Sequence, residues 1–551
     1  MFGKSNSPDV RIQRLIEKYD RADASVAEIL CDGREPSSLA YRIIAADLSA
    51  RDLSYGELKL ESERLAGGLQ SLGIVAGDRV ATLMGKSRSY VITLMAIWRL
   101  GAVHVPLFTA FAPPAIALRL TESGAKLVIC DPAQRPKLEA GSDMPANAPW
   151  RIVTTGEPDH AALSYAALLE TGSPAPGAAK IGGDAPIIHV FTSGTTGNPK
   201  AVVVPLRALA AFEAYAIFGL GLQEDDIYWC AADPGWAYGL YFGILATFTT
   251  GVRSILYEGG FSPEATLSIL TEQRVTNFAA APTVYRSLRA APLPVGEPTA
   301  LRHASSAGEP LTPDVNAWAL EALGVEVHDH YGQTEAGMLI NNHHEPTVRR
   351  PIREGSMGHA MPGWRATVLD EETDMEAGPN VIGRVAMDIP ASPLIWFEGY
   401  EGAAAKTAEK FTSDGRWYLT GDTGRVDEDG YFYFSARDDD VIIMAGYRIG
   451  PFEVESAMAS HPAVVESAVI AVPDDVRGEV IEAFVVLAHG YTAGADLARD
   501  IQSWVKTRFA AHAYPRSIHF VEALPKTPSG KIQRFVLKQQ RLEAIAADHA
   551  A

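Results

Sequence analysis

The chain predicts an α/β fold in which parallel sheets are covered by helices, followed by a smaller α+β domain. The first observation is an alternation of helical and strand-like segments through most of the 551 residues. The second is the length, since a chain of this size is expected to form two or more domains. The third is a change of pattern near residues 427–440, followed by a compact stretch of mixed strand and helix patterns.

Individual segments support the alternation. Apolar residues at helical spacing predict an amphipathic helix over Tyr55–Leu69, and the polar stretch 171–185 predicts a flexible loop. The other predicted segments are a helix over 90–99 and strands over 79–84, 102–107, 126–130, 186–191, 201–204 and 431–434. A hairpin turn at Asp427–Gly430 precedes the change of pattern. We therefore predict an N-terminal domain over 1–438 and a C-terminal domain over 439–551.

Composition and charge exclude several classes of protein. Hydrophobic residues make up 47% and charged residues 21% of the chain, which is typical of globular proteins. A formal net charge of −19 disfavours nucleic acid and anionic membranes as partners. A polyanionic ligand would therefore need a local basic cluster. No apolar run reaches the ~20 residues of a membrane span, and the N-terminus lacks a signal-peptide pattern, so we expect a soluble cytoplasmic protein.

The three cysteines, Cys31, Cys130 and Cys230, are widely separated and show neither metal-ligand nor CxxC spacing. Cys130 and Cys230 lie in apolar runs, which predicts buried, reduced strand residues. A nucleophilic or redox role is the weaker alternative. The oligomeric state is left open, a homodimer included.

The segment Phe191–Lys200 is the strongest single motif. Small and hydroxyl residues allow backbone N–H groups to converge on an anion, and a lysine adds a charged donor. The residues are Thr192, Ser193, Gly194, Thr195, Thr196, Gly197 and Lys200. A strand beginning at Ala201 follows, so the loop joins two strands and differs from the common P-loop. Taken alone, the segment could also be a polar hairpin loop.

Further motifs follow in order: Tyr331–Glu335, Tyr418–Asp422, Arg437–Asp439, Gly446–Arg448 and Pro525–Lys531. With the loop, they make the chain resemble the adenylate-forming superfamily over roughly residues 50–540. That superfamily includes acyl-CoA synthetases, peptide-synthetase adenylation domains and luciferases. The resemblance implies a large N-terminal domain of layered parallel sheets plus a distorted barrel, and a small mobile C-terminal domain.

The resemblance assigns roles in ATP binding. Glu335 is the expected Mg²⁺ ligand, since this cation prefers oxygen ligands and substrate phosphates, and Thr334 contacts the α-phosphate. Asp422 binds the ribose hydroxyls, as an ionised carboxylate can, although a turn-forming aspartate is the plainer alternative. Arg437 is the second ribose contact, and Ala436 departs from the glycine usual before it. The remaining nucleotide-binding candidates are Gly308, Glu309, Pro310, Asp329, His330, Tyr331, Gly332 and Gln333.

The resemblance also implies two half-reactions. A carboxylate first attacks the α-phosphate of ATP, with Lys531 of the C-terminal domain as the adenylation lysine. The domain then rotates about the hinge residue Asp439 so that coenzyme A can accept the acyl group. The candidate coenzyme A contacts are Gly446, Tyr447, Arg448, Phe108, Arg135 and Lys506.

Two features of the sequence indicate which carboxylic acid is the substrate. The segment Asp233–Gly239 is similar to that of the acetyl-CoA and medium-chain acyl-CoA synthetase branch, and implies an acyl pocket lined by Trp236, Ala237, Tyr238 and Gly239. Core packing is the plainer explanation for its aromatic residues. Acetyl-CoA synthetases carry a bulky tryptophan at the position of Gly332, and we expect glycine to leave that space open. The sequence thus predicts a short- to medium-chain acid larger than acetate, with an aryl-CoA ligase or an enzyme loading a carrier protein in trans as alternatives.

Overall fold

The fold is described from a computed structural model of the chain. The structure describes residues 7–141, 143–174, 177–192, 199–291, 299–437, 440–444, 447–474, 478–510, 513–526 and 532–550. Within those ranges, no helix combines the length and the apolar character that crossing a lipid bilayer requires.

The elements are numbered in chain order. The strands are β1 Leu39–Ile44, β2 Ala50–Ser54, β3 Arg79–Leu83, β4 Val103–Pro106, β5 Leu127–Cys130, β6 Arg151–Thr154, β7 Ala162–Ser164, β8 Pro186–Phe191, β9 Ala201–Pro205, β10 Ile227–Cys230, β11 Arg253–Tyr257, β12 Asn277–Ala280, β13 His303–Ala307, β14 Val327–Gln333, β15 Gly337–Asn341, β16 His359–Ala360, β17 Ala366–Leu369, β18 Gly383–Asp388, β19 Trp417–Val426, β20 Phe432–Arg437, β21 Ile442–Met444, β22 Tyr447–Ile449, β23 Val464–Asp474, β24 Gly478–Leu487 and β25 Ser517–Phe520. The α-helices are α1 Pro8–Tyr19, α2 Tyr55–Ser71, α3 Arg88–Arg99, α4 Pro113–Glu122, α5 Tyr165–Thr171, α6 Leu209–Phe218, α7 Ala246–Thr250, α8 Pro263–Glu272, α9 Pro282–Ala290, α10 Pro313–Ala322, α11 Ala404–Ala408, α12 Pro451–Ala459, α13 Ala495–Arg508 and α14 Arg534–Ala550.

Two large sheets form the N-terminal part. A seven-stranded sheet has the order β7-β6-β5-β3-β4-β8-β9, with every pair parallel except β8 and β9. A nine-stranded sheet has the order β16-β15-β14-β13-β12-β10-β11-β1-β2, parallel from β14 through β1. The predicted α/β class is confirmed, since helices such as α3 and α4 connect successive parallel strands of the seven-stranded sheet.

Two smaller sheets complete the chain. Strands β17 to β20 form an open four-stranded antiparallel sheet, and the distorted barrel stays a prediction. Strands β21 to β25 form a five-stranded sheet in the C-terminal part. That part has its own hydrophobic core, which begins at Ile442 and is separate from the N-terminal cores. The predicted boundary between residues 438 and 439 lies outside the described residues and stays a prediction.

Local chemistry explains why several elements begin where they do. Helix α2 starts with a capping box, in which the Ser54 hydroxyl accepts from the Glu57 N–H and the Glu57 carboxylate accepts from the Ser54 N–H. Helix α6 is buried on every face. Its single acid, Glu213, is charge-compensated by the Lys18 ammonium at 2.7 Å, as a buried carboxylate requires. Helix α6 therefore forms a fixed wall from which Tyr215 points toward strand β14.

Four buried histidines line up beside strands β13 and β14. The ring of His344 stacks between those of His303 and His328, with centroid distances of 4.1 and 3.6 Å, and His330 meets it edge-on at 6.0 Å. Nitrogens of three of these rings lie within 4.8 Å of one another. The stacked rings of His328 and His344 are inclined by only 15°, so their in-plane lone pairs cannot converge on one metal ion. We call this group the histidine stack.

The histidine stack predicts acid sensitivity. Burial lowers the pKa of His303 to about 4 and that of His328 to about 3, and holds those of His330 and His344 well below the ordinary value. The free energy of unfolding should therefore fall as the pH drops below about 6.5, where the unfolded chain gains protons that the stack excludes. Each excluded proton contributes about 1.4 kcal/mol per pH unit. Burial also raises the pKa of Asp329 to about 7, and proton uptake by this folded carboxyl offsets about one imidazole.

Denaturant unfolding between about pH 7.5 and about pH 5 measures this slope. The variant His303→Gln should show a shallower slope because it removes one excluded proton. The exposed His160 offers a matched control, and His160→Gln should leave the slope unchanged. An unchanged slope in His303→Gln would contradict the prediction.

Candidate active site

Strands β8 and β9 hold the two ends of the predicted phosphate loop. They pair antiparallel with Phe191 opposite Ala201, and the Thr192 N–H donates to the Lys200 carbonyl at 2.9 Å. The loop therefore joins two strands, as predicted. Ser193, Gly194, Thr195, Thr196 and Gly197 lie outside the described residues, and their predicted phosphate contacts stay predictions.

Tyr400 connects the predicted phosphate lysine to the predicted magnesium ligand. The Lys200 ammonium lies 5.0 Å from the centroid of the Tyr400 ring, and the Tyr400 hydroxyl donates to Glu335 Oε1 at 2.7 Å. Glu335 is buried, with 9% of its surface exposed. A buried carboxylate oriented by a phenol suits a hard cation such as Mg²⁺, whose ligands are oxygens. The residues present therefore fit the predicted metal.

Asp422 is clamped between two sheets. Its Oδ2 accepts from the Tyr331 hydroxyl at 2.5 Å and from Gln333 Nε2 at 2.8 Å. The Gln333 amide also donates to the Thr420 carbonyl and accepts from the Tyr418 hydroxyl, both at 2.8 Å. These bonds tie β14 of the nine-stranded sheet to β19 of the four-stranded sheet. Within the described ranges, the other carboxylate oxygen of Asp422 makes no hydrogen bond, so it can accept from a ribose hydroxyl.

The second predicted ribose contact lies opposite Asp422. Arg437 pairs with Asp422 in the antiparallel register of β19 and β20, and Thr423 pairs with Ala436. The departure at Ala436 is therefore accommodated within the strand pair, next to a shift of register between Thr423 and Gly424. Arg437 and Asp422 are therefore directly opposite each other on neighbouring strands.

Lys410 is a cation of this site that sequence reasoning missed. Its ammonium donates to the Thr420 carbonyl at 2.7 Å. Burial lowers the pKa of Lys410, while the nearby carboxylates of Glu335 and Asp422 act to raise it. Lys410 thus adds positive charge beside two acids that are predicted to face the nucleotide.

The segment after β13 is an open turn. Gly308 has a φ of 105°, and a Cβ placed there would have no heavy atom within 4 Å. The Glu309 carboxylate pairs with the Arg286 guanidinium at 3.0 Å. Asp329 Oδ2 accepts from the Leu311 N–H at 3.3 Å, directly after Pro310. The open space beside Gly308 agrees with the expectation of room for a flat ring.

Residues 235–238 are half-buried and lie before a π-helix over Gly239–Leu245, a geometry frequent at functional sites. The Trp236 ring packs against Phe108 at 5.1 Å and Phe111 at 5.6 Å. Phe108, a predicted coenzyme A contact, is thus buried against the predicted acyl segment. A Cβ at Gly239 would lie 2.2 Å from the Asp233 carbonyl oxygen, so close packing is the reason for this glycine.

The expectation that Gly332 leaves an empty space is wrong. A Cβ at this position would lie 2.3 Å from the Gly337 carbonyl oxygen and 2.6 Å from Met338 Sδ. Strand β15 folds back onto β14 and fills the place of a side chain. Residue 332 has no side chain that could close the pocket. The thioether of Met338 nevertheless occupies the space beside it.

Tyr238 belongs to a buried polar network. Its hydroxyl lies 3.0 Å from that of Tyr215, which lies 2.8 Å from His330 Nδ1. His330 Nε2 in turn lies 3.0 Å from the Asn342 carbonyl oxygen. The predicted adenine residue His330 therefore also contacts the predicted acyl wall.

The predicted coenzyme A and hinge residues are only partly described. Asp439, Gly446 and Lys531 lie outside the described residues, as do the side chains of Tyr447 and Arg448. Arg135 forms an ion pair with Asp159 at 3.0 Å. Lys506 is exposed on α13, where its ammonium lies 3.9 Å from the centroid of the Tyr514 ring. The structure does not bring these two cations together with the nucleotide residues, and their role stays a prediction.

Ion pairs connect the C-terminal part to the nucleotide segment. The Arg286 guanidinium reaches Glu309 at 3.0 Å and Glu466 on β23 at 3.9 Å. Glu466 also accepts from the Lys526 ammonium at 2.7 Å. Lys526 forms a β-bridge with Ile532, so these two residues hold the ends of the segment that contains Lys531.

Comparison with known proteins defines the class. A profile described as AMP-binding enzyme matches residues 35–400, and one described as AMP-binding enzyme C-terminal domain matches residues 453–531. The acetyl-coenzyme A synthetase of Bacillus subtilis (strain 168) is 36% identical over 505 residues, covering 90% of this chain and 86% of that protein. The chain therefore belongs to the family of AMP-binding enzymes, within which it is an AMP-forming acid–thiol ligase.

Solved structures agree. The structure of the Brucella canis acyl-CoA synthetase is 42% identical, with a TM-score of 0.75 and coverage of 97% of both chains. The anthranilate CoA ligase AuaEII in complex with anthranoyl-AMP is 28% identical, with a TM-score of 0.86 and coverage of 95% of this chain and 98% of that one. The predicted superfamily is thereby confirmed.

Tyr400→Phe tests the contact with Glu335. The variant keeps the ring beside Lys200 but removes the hydroxyl that orients the carboxylate. We expect the rate of pyrophosphate exchange into ATP to fall about tenfold and the Mg²⁺ requirement to rise, as for other groups that orient metal ligands. Tyr431→Phe is a matched control, because its hydroxyl donates to the Pro351 carbonyl at the far end of β20. Equal Mg²⁺ dependence in both variants would refute this role for Tyr400.

Gly332→Ala tests the packing of β15 on β14. The added methyl group overlaps the Gly337 carbonyl, so we expect a loss of about 1–3 kcal/mol in unfolding free energy and reduced activity. Gly260→Ala is the control, because a Cβ at that exposed position would meet nothing within 4 Å. If Gly332→Ala were as stable as Gly260→Ala, the space would be open after all.

Proposed function

We propose that the protein is an acyl-CoA synthetase that activates a carboxylic acid with ATP and Mg²⁺, and then transfers the acyl group to coenzyme A. The observation that carries the proposal is the Asp422 clamp, placed beside Glu335, Lys200 and Lys410 at the junction of two sheets. This arrangement provides one carboxylate for a diol, one for a cation, and ammonium groups for phosphates.

In the first half-reaction, the carboxylate of the acid attacks the α-phosphorus of ATP, and pyrophosphate leaves with acyl-AMP formed. Such a transfer needs positioning and charge neutralisation more than covalent help. Asp422 and Arg437 orient the ribose, Thr334 contacts the α-phosphate, and Lys200 and Lys531 neutralise developing charge. Glu335 would hold Mg²⁺, which would supply positive charge to the phosphate oxygens.

In the second half-reaction, the coenzyme A thiol attacks the acyl carbon, and AMP leaves. The C-terminal domain, proposed as residues 439–551, rotates about Asp439 and exchanges the Lys531 segment for the Gly446–Arg448 segment. The contact of Arg286 with Glu466 would break in that rotation, whereas the pair of Glu466 with Lys526 lies within the rotating domain and would move with it.

The acid is proposed to be short to medium in length and larger than acetate. The predicted acyl wall includes Ala237, which is small and half-buried. The space beside Gly332 is filled by the unbranched, adaptable thioether of Met338 rather than by a bulky ring. Aryl acids are the second candidate, supported by the likeness to the anthranilate CoA ligase.

Pyrophosphate exchange with a panel of acids tests the proposal. We expect exchange with several acids from propionate to octanoate, and AMP release that depends on coenzyme A, because an apolar pocket discriminates by only about 1–3 kcal/mol per methylene. Benzoate and its derivatives form the aryl arm of the panel. A strong preference for acetate would refute the size argument, and exchange without coenzyme A-dependent AMP release would point to a carrier-loading enzyme.

Lys531→Ala completes this test. We expect about a hundredfold loss of exchange, since a donor to developing charge is removed. Lys538→Ala is the matched control, because this exposed lysine lies on α14 and pairs with Glu479 at 3.8 Å. Unchanged exchange in Lys531→Ala would indicate a nucleotide-binding protein that does not catalyse adenylation.

A further inference from the structure

The network of Tyr238, Tyr215 and His330 has a fixed hydrogen-bond direction. It begins at the Asn342 carbonyl, which can only accept, so His330 Nε2 at 3.0 Å carries a proton. His330 lies fully buried between Tyr215 and the histidine stack. Burial holds its pKa well below the ordinary value, so the ring is neutral at pH 7.

Because His330 is neutral, the donors of the other two hydrogen bonds in the network are also fixed. Its Nδ1 then carries a lone pair, so the Tyr215 hydroxyl at 2.8 Å must donate to it. The Tyr215 oxygen is left as an acceptor, and the Tyr238 hydroxyl at 3.0 Å must donate to it. The opposite direction would require a charged imidazolium among the buried rings, which is costly.

Tyr238 therefore has no proton to offer outside the network. Its single O–H is used by Tyr215, and its oxygen keeps only acceptor capacity. Unlike the fully buried Tyr215, Tyr238 is half-buried in the wall formed by residues 235–238. Its ring packs edge-on against that of Phe242, with the centroids 5.1 Å apart.

We infer that the acyl pocket presents an acceptor-only oxygen, that of Tyr238, and selects carboxylic acids that carry a hydrogen-bond donor, a hydroxyl or amino group, on the acyl chain or ring. This inference rests on the proposed function, since it takes residues 235–238 as the acyl wall. An acid with a hydroxyl in reach satisfies the oxygen. With a ketone or ether at the same place, the oxygen of the acid and the oxygen of Tyr238 are both acceptors, so neither receives a hydrogen bond.

The size of the preference follows from this asymmetry. A site that hydrogen-bonds a substrate hydroxyl rejects the analogue without it much more strongly than an apolar pocket rejects an extra methylene. One neutral hydrogen bond predicts a preference of about tenfold in kcat/KM for a hydroxy acid over its keto analogue. The network uses no charged group, so the preference should be insensitive to salt.

Matched acids on one carbon skeleton provide the test. Pentanoate, its 3-, 4- and 5-hydroxy forms and the corresponding oxo forms make the aliphatic arm, and benzoates with amino, methyl or methoxy groups make the aromatic arm. Pyrophosphate exchange is measured with each acid on the full-length protein. We expect at least one donor-bearing acid to exceed its acceptor-bearing analogue by about tenfold, and the arm in which this occurs identifies the skeleton.

Two variants locate the cause. Tyr238→Phe removes the acceptor, so the hydroxy-to-oxo ratio should fall to about one. Tyr215→Phe leaves the Tyr238 hydroxyl without its acceptor and free to donate, so oxo acids should gain relative to hydroxy acids. Tyr228→Phe is the matched control: within the described residues, its buried hydroxyl makes no hydrogen bond with Tyr215 or Tyr238, so the ratio should not change.

The outcomes separate this inference from the proposed function. Exchange with unsubstituted acids but no donor preference at any position would overturn the inference and leave the synthetase reaction intact. A preference that survives in Tyr238→Phe would also overturn it, because another group would then be responsible. Absence of exchange with every acid would refute the proposed function itself.

Discussion

The Asp422 carboxylate joins the two sheets that carry the predicted nucleotide residues. Through Oδ2 it accepts from Tyr331 and Gln333 on β14, while its own strand β19 belongs to the four-stranded sheet. These bonds add polar contacts to a hydrophobic core that the two sheets share. Side chains on two rigid strands therefore leave one carboxylate oxygen available for a ligand, which is the preorganisation that binding requires.

The same strand β14 also brings polar groups into the apolar interior. His330 lies one residue before Tyr331, yet its partners are Tyr215 on α6 and the histidine stack rather than the nucleotide residues. Successive side chains of a strand point to opposite faces. Strand β14 therefore contributes His330 to the polar network on one face, and Tyr331 and Gln333 to the hydrogen bonds with Asp422 on the other.

Sequence reasoning predicted what local pattern determines. Helix α2, strands β3, β5 and β8 and the two ends of the phosphate loop follow from periodicity and composition, and the family follows from ordered motifs. Tyr400 and Lys410 were missed because each is a single residue outside any motif, positioned by contacts across the fold. The explanation for Gly332 was wrong because the tight β14–β15 hairpin was not predicted, and this hairpin places Met338 in the space. Pairing between distant strands has no signal in a single sequence.

Arg286 gives the nucleotide segment and the C-terminal part a shared counter-ion. Its guanidinium pairs with Glu309 and, more distantly, with Glu466, and both carboxylates are partly accessible to solvent. Dissolved ions screen pairs that solvent can reach. Ionic strength should therefore act as an external control on how long the two parts stay together, so the speed of the catalytic cycle would depend on the salt around the enzyme as well as on its substrates.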